Sequence, residues 1–301
     1  MSKKIVAFGE LVWDIFEEGK QLGGAPVNLV YRVNSFGDQG ILLSRVGDDE
    51  LGKESISQLR KLEISDENVQ IDPVFPTGTA HVRVGSEGRA DYIIDPDMAF
   101  DHIEFTAEAL KIVRDSDCLV FGTLVQRYGI SKNTLKELLN ESPGLLKYLD
   151  LKLRKNCYNR PVLESSLHAA DILRVKENEL YTLKSDLGLF EYETKALAQE
   201  VINEYDIDVV LVTQSKSGAF AITRNGDYFV ESGYKIDLID TVGSGSAFSA
   251  GFLHVYLENQ NIEEALRFGN AAGAATAATH GATSMITKKR ITELMRKGER
   301  R

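Results

Sequence analysis

The stretch "DTVGSGSAFSAGF" (240–252) decides how this 301-residue chain is read. Gly243 and Gly245 free the backbone to curl into a run of inward-facing N–H groups, and the apolar residues Ala247 to Phe252 read as the first turns of a helix. Loop amides placed before a helix N-terminus make an anion site, because both carry partial positive charge. Gly243, Ser244 and Gly245 are therefore the expected anion hole. Where such a loop would carry a base, however, Ser246 offers only a hydroxyl.

Upstream of this loop, short apolar runs are separated by helix-length segments: "IVAFG" (5–9), "ILLSRVG" (41–47), "CLVFG" (118–122), "LLKYLD" (145–150), "DILRV" (171–175) and "VVLVT" (209–213). Runs of that kind predict parallel strands buried on both faces, hence an α/β fold with a central, mostly parallel sheet. Two stretches break the rhythm. Residues 11–22 and 79–94 alternate apolar and polar, the latter around Gly85-Ser86-Glu87-Gly88, and predict antiparallel, half-exposed strands that, if they pair, form a flap over one edge; a decorative hairpin is an equal reading of the same residues. "AFAITRNGDYFV" (219–230) predicts a hairpin turning at Asn225-Gly226, and 262–282 a helix rich in Ala and Gly. The basic tail "KKRITELMRKGERR" reads as a solvated helix with a frayed end.

Composition narrows the function. The net charge is −10, with 43% hydrophobic and 27% charged residues, which gives no electrostatic support to a nucleic-acid or anionic-membrane partner and favours a small molecule. No run approaches the length of a membrane span. The two cysteines, Cys118 and Cys157, form neither a disulfide framework nor a zinc motif, and a reducing cytoplasm is the expected compartment. The five histidines show no metal-ligand spacing. His254, on an apolar helix, reads as packed.

A second glycine cluster, "LGGAPVNLVYRVNSFG" (22–37), allows close backbone approach at Gly24 and projects Asn28 from a first helical turn, where its amide suits a pair of sugar hydroxyls. In order, the chain then carries a strand ending "FGE", Asp14, "GGAPVN", the flap, "DLKLRKNCY" (150–158), "RVKENEL" (174–180) and "DTVGSGSAFSAGF". This succession resembles the ribokinase-like, or PfkB, carbohydrate kinases over nearly the whole chain, and bacterial fructokinases most closely. The resemblance implies a three-layer αβα sandwich with a β-sheet lid, the main domain taking 1–10, 25–76 and 105–301 and the lid 11–24 and 77–104. It implies ATP-dependent phosphorylation of a sugar hydroxyl, with fructose or a similar ketose as substrate, ATP and Mg2+ as cofactors and a monovalent cation as a further ion. Lid-mediated homodimers are common among similar proteins, so a homodimer is the expected assembly.

Carried onto this sequence, the resemblance makes Asp14, Gly24 and Asn28 the sugar contacts and puts Gly218, in "TQSKSGA", near the nucleotide. Arg127, at the end of "FGTLVQR", is equally a substrate contact or a surface residue. Four positions depart from the pattern, all at the phosphate end. Ser246 replaces the aspartate that would take the proton of the attacking hydroxyl. In Asp-x-Asn-x-Arg, Asp150 and Arg154 remain but Lys152 replaces the asparagine; in Asn-x-x-Glu, Lys176 replaces the asparagine and Glu179, indirectly a magnesium residue, remains; Ser215 stands where glycine is usual. The two lysines either supply fixed positive charge to the phosphates or repel the metal. Asp240 reads as a structural carboxylate. Two functions follow: a sugar kinase weakened by loss of its base, or a catalytically silent sugar-binding pseudokinase acting as a sensor or regulatory partner.

Overall fold

The computed structural model describes residues 2–84 and 90–301. Among these, thirteen strands run in chain order: β1 (Lys4–Phe8), β2 (Val12–Phe16), β3 (Gly19–Gly23), β4 (Gln39–Gly47), β5 (Val69–Asp72), β6 (Gly78–Val84), β7 (Ala90–Ile94), β8 (Cys118–Phe121), β9 (Leu146–Asp150), β10 (Ile172–Lys176), β11 (Val209–Thr213), β12 (Gly218–Thr223) and β13 (Tyr228–Ser232). Nine form one sheet in the order β13-β12-β11-β10-β9-β8-β1-β4-β5, parallel from β11 to β5 and antiparallel at β12 and β13. Every apolar run named above lies in this sheet. β5, whose four residues "VQID" carry little apolar signal, was not expected from the sequence.

Alternate residues of each central strand face opposite layers. Ile5 and Ala7 pack with the helices Ala25–Ser35, Ser244–Asn259 and Ile262–Ala277, whereas Val6 and Phe8 pack with Ser131–Asn140, Arg160–His168 and Thr194–Tyr205. Two apolar cores, one on each face, make the αβα sandwich and explain why these strands read as unbroken hydrophobic runs.

The remaining four strands form a separate sheet, β3-β2-β6-β7. Its two hairpins are antiparallel, but β2 pairs with β6 in parallel, Val12 opposite Gly78 and Asp14 opposite Ala80. The all-antiparallel expectation is corrected: strands from two distant hairpins meet side by side, so no turn fixes their relative direction. The predicted turn at Gly85 to Gly88 falls outside the described residues. Trp13 is buried and its Nε1 donates to Ser55 Oγ (2.9 Å) and Leu51 O (3.1 Å), fastening this sheet to the helix Glu50–Lys61.

Three boundaries differ from the sequence reading. The helix after the glycine loop begins at Ser244, because its glycines and serines occupy the first turn. The Ala-rich helix stops at Ala277, and 278–282 become a loop packed against Gly243. The C-terminus is not frayed: Arg300 bridges to Tyr234, and its guanidinium pairs with buried Glu231 at 2.9 Å. Among the described residues, no helix is long and apolar enough to cross a membrane.

Candidate active site

Parallel strands converge their C-terminal ends on one edge, where α/β folds bind ligands. Glu10 follows β1, Asp150 ends β9, Lys176 ends β10 and Thr213 ends β11. The helix Ser244–Asn259 starts above them. Its N-cap, Gly243, has φ +78°, and a Cβ there would stand 2.4 Å from the Ala282 side chain. Only glycine fits both the dihedral and the space. First-turn amides of any helix lack intrahelical partners; here the Ser244 N–H donates back to Thr241 O at 3.3 Å, and those of Gly245 and Ser246 are available to an anion.

Ser246 is buried in this turn. Its Oγ accepts from Lys152 Nζ at 2.9 Å and donates to Ala25 O at 3.3 Å. The same ammonium pairs with Asp150 Oδ2 at 2.7 Å, and Arg174 Nη1 approaches Asp150 Oδ1 at 3.2 Å. Burial raises the Asp150 pKa, but Lys152 and Arg174 outweigh it and hold the carboxyl below its ordinary value. Below lies a buried relay in which Tyr148 donates to Ser249 Oγ and Ser249 to Asp150.

Arg174 was missed by the sequence reading. It is 2% exposed, also donates to Thr213 Oγ1, and sits 2.9–3.2 Å from where a Cβ on Gly245 would project. A charge inside the otherwise apolar "ILRVK" strand is the signal that could have found it. Lys176 is exposed, yet neighbouring atoms partly desolvate its ammonium; Glu179 pulls its pKa up, while Arg174, Arg154 and Lys152 add to the lowering that prevails.

The other end is assembled by the Gly24 turn. Gly24 has φ +109°, and a Cβ would strike Glu10 O at 2.4 Å. Glu10, also unassigned from sequence, accepts from the Ala25 N–H at 3.0 Å, so Glu10 and Ser246 grip opposite ends of one residue. Burial pushes the Glu10 pKa up against its backbone hydrogen bonds and the charges of Lys152 and Arg154. Burial likewise raises Asp14 to about 6, with Arg154 opposing and Glu10 reinforcing. Asn28 Oδ1 is buried with no hydrogen-bond partner, an acceptor waiting for a donor. Arg154 lies 4.7 Å from the ring of Tyr92 on β7, which brings the small sheet over this edge. A cavity of about 40 Å³ lies between Glu10, Ala25, Thr123, Asp150, Lys152 and Arg154.

Some expected residues fall elsewhere. Arg127 is neither a surface residue nor free for substrate: it forms a buried two-point ion pair with Asp101 and donates to the carbonyls of Ile94 and Asp95, bracing the end of β7. Gly218 is buried beneath the backbone of Glu231 at the start of β12. Ser215 is exposed with φ +51°, a left-handed conformation that costs serine more than glycine. Asp240 is structural, its two oxygens accepting from Val242 N and Gly281 N.

A divalent metal finds a poor home here. Among the described residues no three His, Cys, Asp or Glu side chains are grouped to hold one. Glu179 spends its oxygens on the N–H groups of Leu153 (3.1 Å) and Lys176 (3.0 Å), and Asp150 faces two cations. The donor set does not fit Mg2+, which prefers carboxylate and water oxygens.

Residues 1–289 match the model of the pfkB family carbohydrate kinases. The chain belongs to that family. Curated relatives include probable fructokinase-2 of Arabidopsis thaliana, 26% identical over 92% of this chain and 91% of the relative, and fructokinase-1 of Oryza sativa subsp. japonica, 27% identical over 98% of each. Among solved structures, the fold is shared with a Xylella fastidiosa fructokinase with bound ATP (TM-score 0.83, 18% identity, 98% and 99% of the two chains). It is shared also with the Vibrio cholerae O395 fructokinase bound to fructose, ADP and calcium ion (TM-score 0.81, 20% identity, 97% and 99%). The pfkB family is one of ATP-dependent sugar kinases, and both the succession of motifs and the two-sheet architecture agree with membership.

Proposed function

We propose that this protein is a fructokinase-like sugar kinase whose phosphoryl transfer is slowed by loss of its general base. The carrying observation is the Lys152–Ser246 hydrogen bond. A hydroxyl that accepts from an ammonium and donates to a carbonyl has no capacity to take a proton from an attacking alcohol. The proton then passes to the phosphoryl group or to water. A positioned base contributes about 10²–10⁴-fold, while positioning and electrostatics dominate phosphoryl transfer; the expected result is a slow enzyme.

In this reading Asp14 and Asn28 orient the sugar, the amides after Gly243 with Lys152 and Arg174 receive the transferring phosphoryl group, and the small sheet closes as a lid over Arg154. Fructose, ADP and potassium in a double mutant of the Vibrio cholerae enzyme support a ketose and a nucleotide as ligands. A second reading, a silent sugar-binding protein, is favoured by the asymmetry between the unpartnered Asn28 acceptor and the closed Asp150–Lys152–Ser246 cluster.

The experiment is ATP with fructose at high protein concentration, with and without magnesium, reading fructose phosphate by mass spectrometry. Product that scales with protein and disappears in Asn28→Ala establishes the kinase. No product, with fructose binding retained, establishes the silent binder.

A further inference from the structure

The phosphate end of the site carries an unusual charge balance. Partial burial lowers the Lys176 pKa, Glu179 opposes, and the nearby charges of Arg174, Arg154 and Lys152 add to the lowering. The acidic side chains around them are occupied: Asp150 by Lys152 and Arg174, Glu179 by two backbone N–H groups, Asp240 by two more. Glu10 and Asp14 face Arg154 from the sugar end. Arg174 adds a second indication of a ligand. It is 2% exposed, its Nε has no partner, and its guanidinium lies directly against Gly245 in the first turn of the helix. Arg174 and Lys152 share the single carboxylate of Asp150, which leaves one positive charge of the pair unbalanced beside the first turn of the helix, and an anionic ligand there completes the balance.

We propose that the site takes its polyphosphate as the metal-free anion, with Lys152, Arg174 and Lys176 supplying the charge that a divalent cation would otherwise bring. This rests on the kinase reading of the same loop but departs from it in the form of the nucleotide. A cation arriving with the phosphates would meet two ammonium groups and a guanidinium with no free carboxylate to receive it. The lysines that replace two asparagines of the family pattern thus act together, as one substitution of fixed charge for a mobile ion.

Calorimetric titration of the full chain with ATP, in EDTA and in excess magnesium, tests this without any variant. The affinity in EDTA is expected to equal or exceed that in magnesium. Lys152→Gln/Lys176→Gln should lose about tenfold or more in EDTA, the scale of one charge-assisted contact, and gain a preference for magnesium. ATP bound about tenfold more tightly with magnesium by the intact chain overturns the proposal and leaves the kinase reading standing. Fructose binding with no ATP binding in either medium overturns the proposal together with the nucleotide half of that reading.

Discussion

Lys152 Nζ stands 2.9 Å from Ser246 Oγ and 2.7 Å from Asp150 Oδ2, so the position that would hold a base is tied to a cation already paired beneath it. An aspartate restored at 246 would form an ion pair with Lys152, and a neighbouring positive charge lowers carboxylate basicity. Ser246→Asp alone should therefore raise fructose-dependent turnover by no more than about tenfold, while Ser246→Asp with Lys152→Asn should approach the ~10²–10⁴-fold worth of a free base. The coupling is read from steady-state rates of the two single variants and the double. Equal rates for Ser246→Asp with and without Lys152 would show that the lysine does not control the base.

Asn28 offers a test that separates binding from stability. Its Oδ1 is buried without a donor, and an unmade hydrogen bond costs the folded state about 1–3 kcal/mol. Asn28→Ala should leave the melting temperature unchanged or higher while weakening fructose binding about tenfold. A drop in melting temperature with unchanged sugar affinity would assign Asn28 to the scaffold.

Asp14 gives the site a pH signature. Burial lifts its pKa from 3.8 to about 6, with Arg154 opposing and Glu10 adding to the rise. The folded state thus favours the protonated form. The associated stability is fully present below the ordinary value of 3.8 and is lost as pH rises through about 6. Sugar binding runs the other way, because hydroxyl donors need the carboxylate. Fructose affinity should fall about tenfold per unit below pH 6, and Asp14→Asn should flatten both profiles. Calorimetry between pH 5 and 7 reads the first, thermal melts the second.

Much of the architecture was legible because burial on two faces writes itself into a strand as an unbroken apolar run, as in "VVLVT". The glycine loop was legible because few residues tolerate φ +78° beside Ala282. Partnerships across sequence were not. Nothing local says that Lys152 reaches Ser246, or that Arg127 is consumed by Asp101 rather than left for a substrate. Periodicity also cannot give the relative direction of two hairpins, so the parallel β2–β6 pairing had no sequence signal. Glu10 was visible only as the end of "FGE", and its grip on Ala25 depends on a fifteen-residue return of the chain.

Arg32 connects the helix that carries Asn28 to the anion loop. It is 1% exposed, and its Nη2 donates to Ala282 O (3.3 Å) and Ser284 O (3.1 Å), while Nε and Nη1 have no partner. Burial lowers its pKa. Ala282 in turn packs against Gly243, and the Gly281 N–H is held by Asp240, so the guanidinium braces the loop behind the anion hole. In Arg32→Met, loss of two carbonyl contacts is offset by removal of a buried charge with unmade hydrogen bonds, and global stability should move by no more than about 2 kcal/mol. The local effect should be larger: the hydrogen-bonded amides of Asp240, Val242, Ser244 and Gly281 should lose exchange protection together, with ATP affinity falling several-fold. Exchange that rises at Gly281 alone would show that the two loops are independent and that Arg32 braces only its own contact.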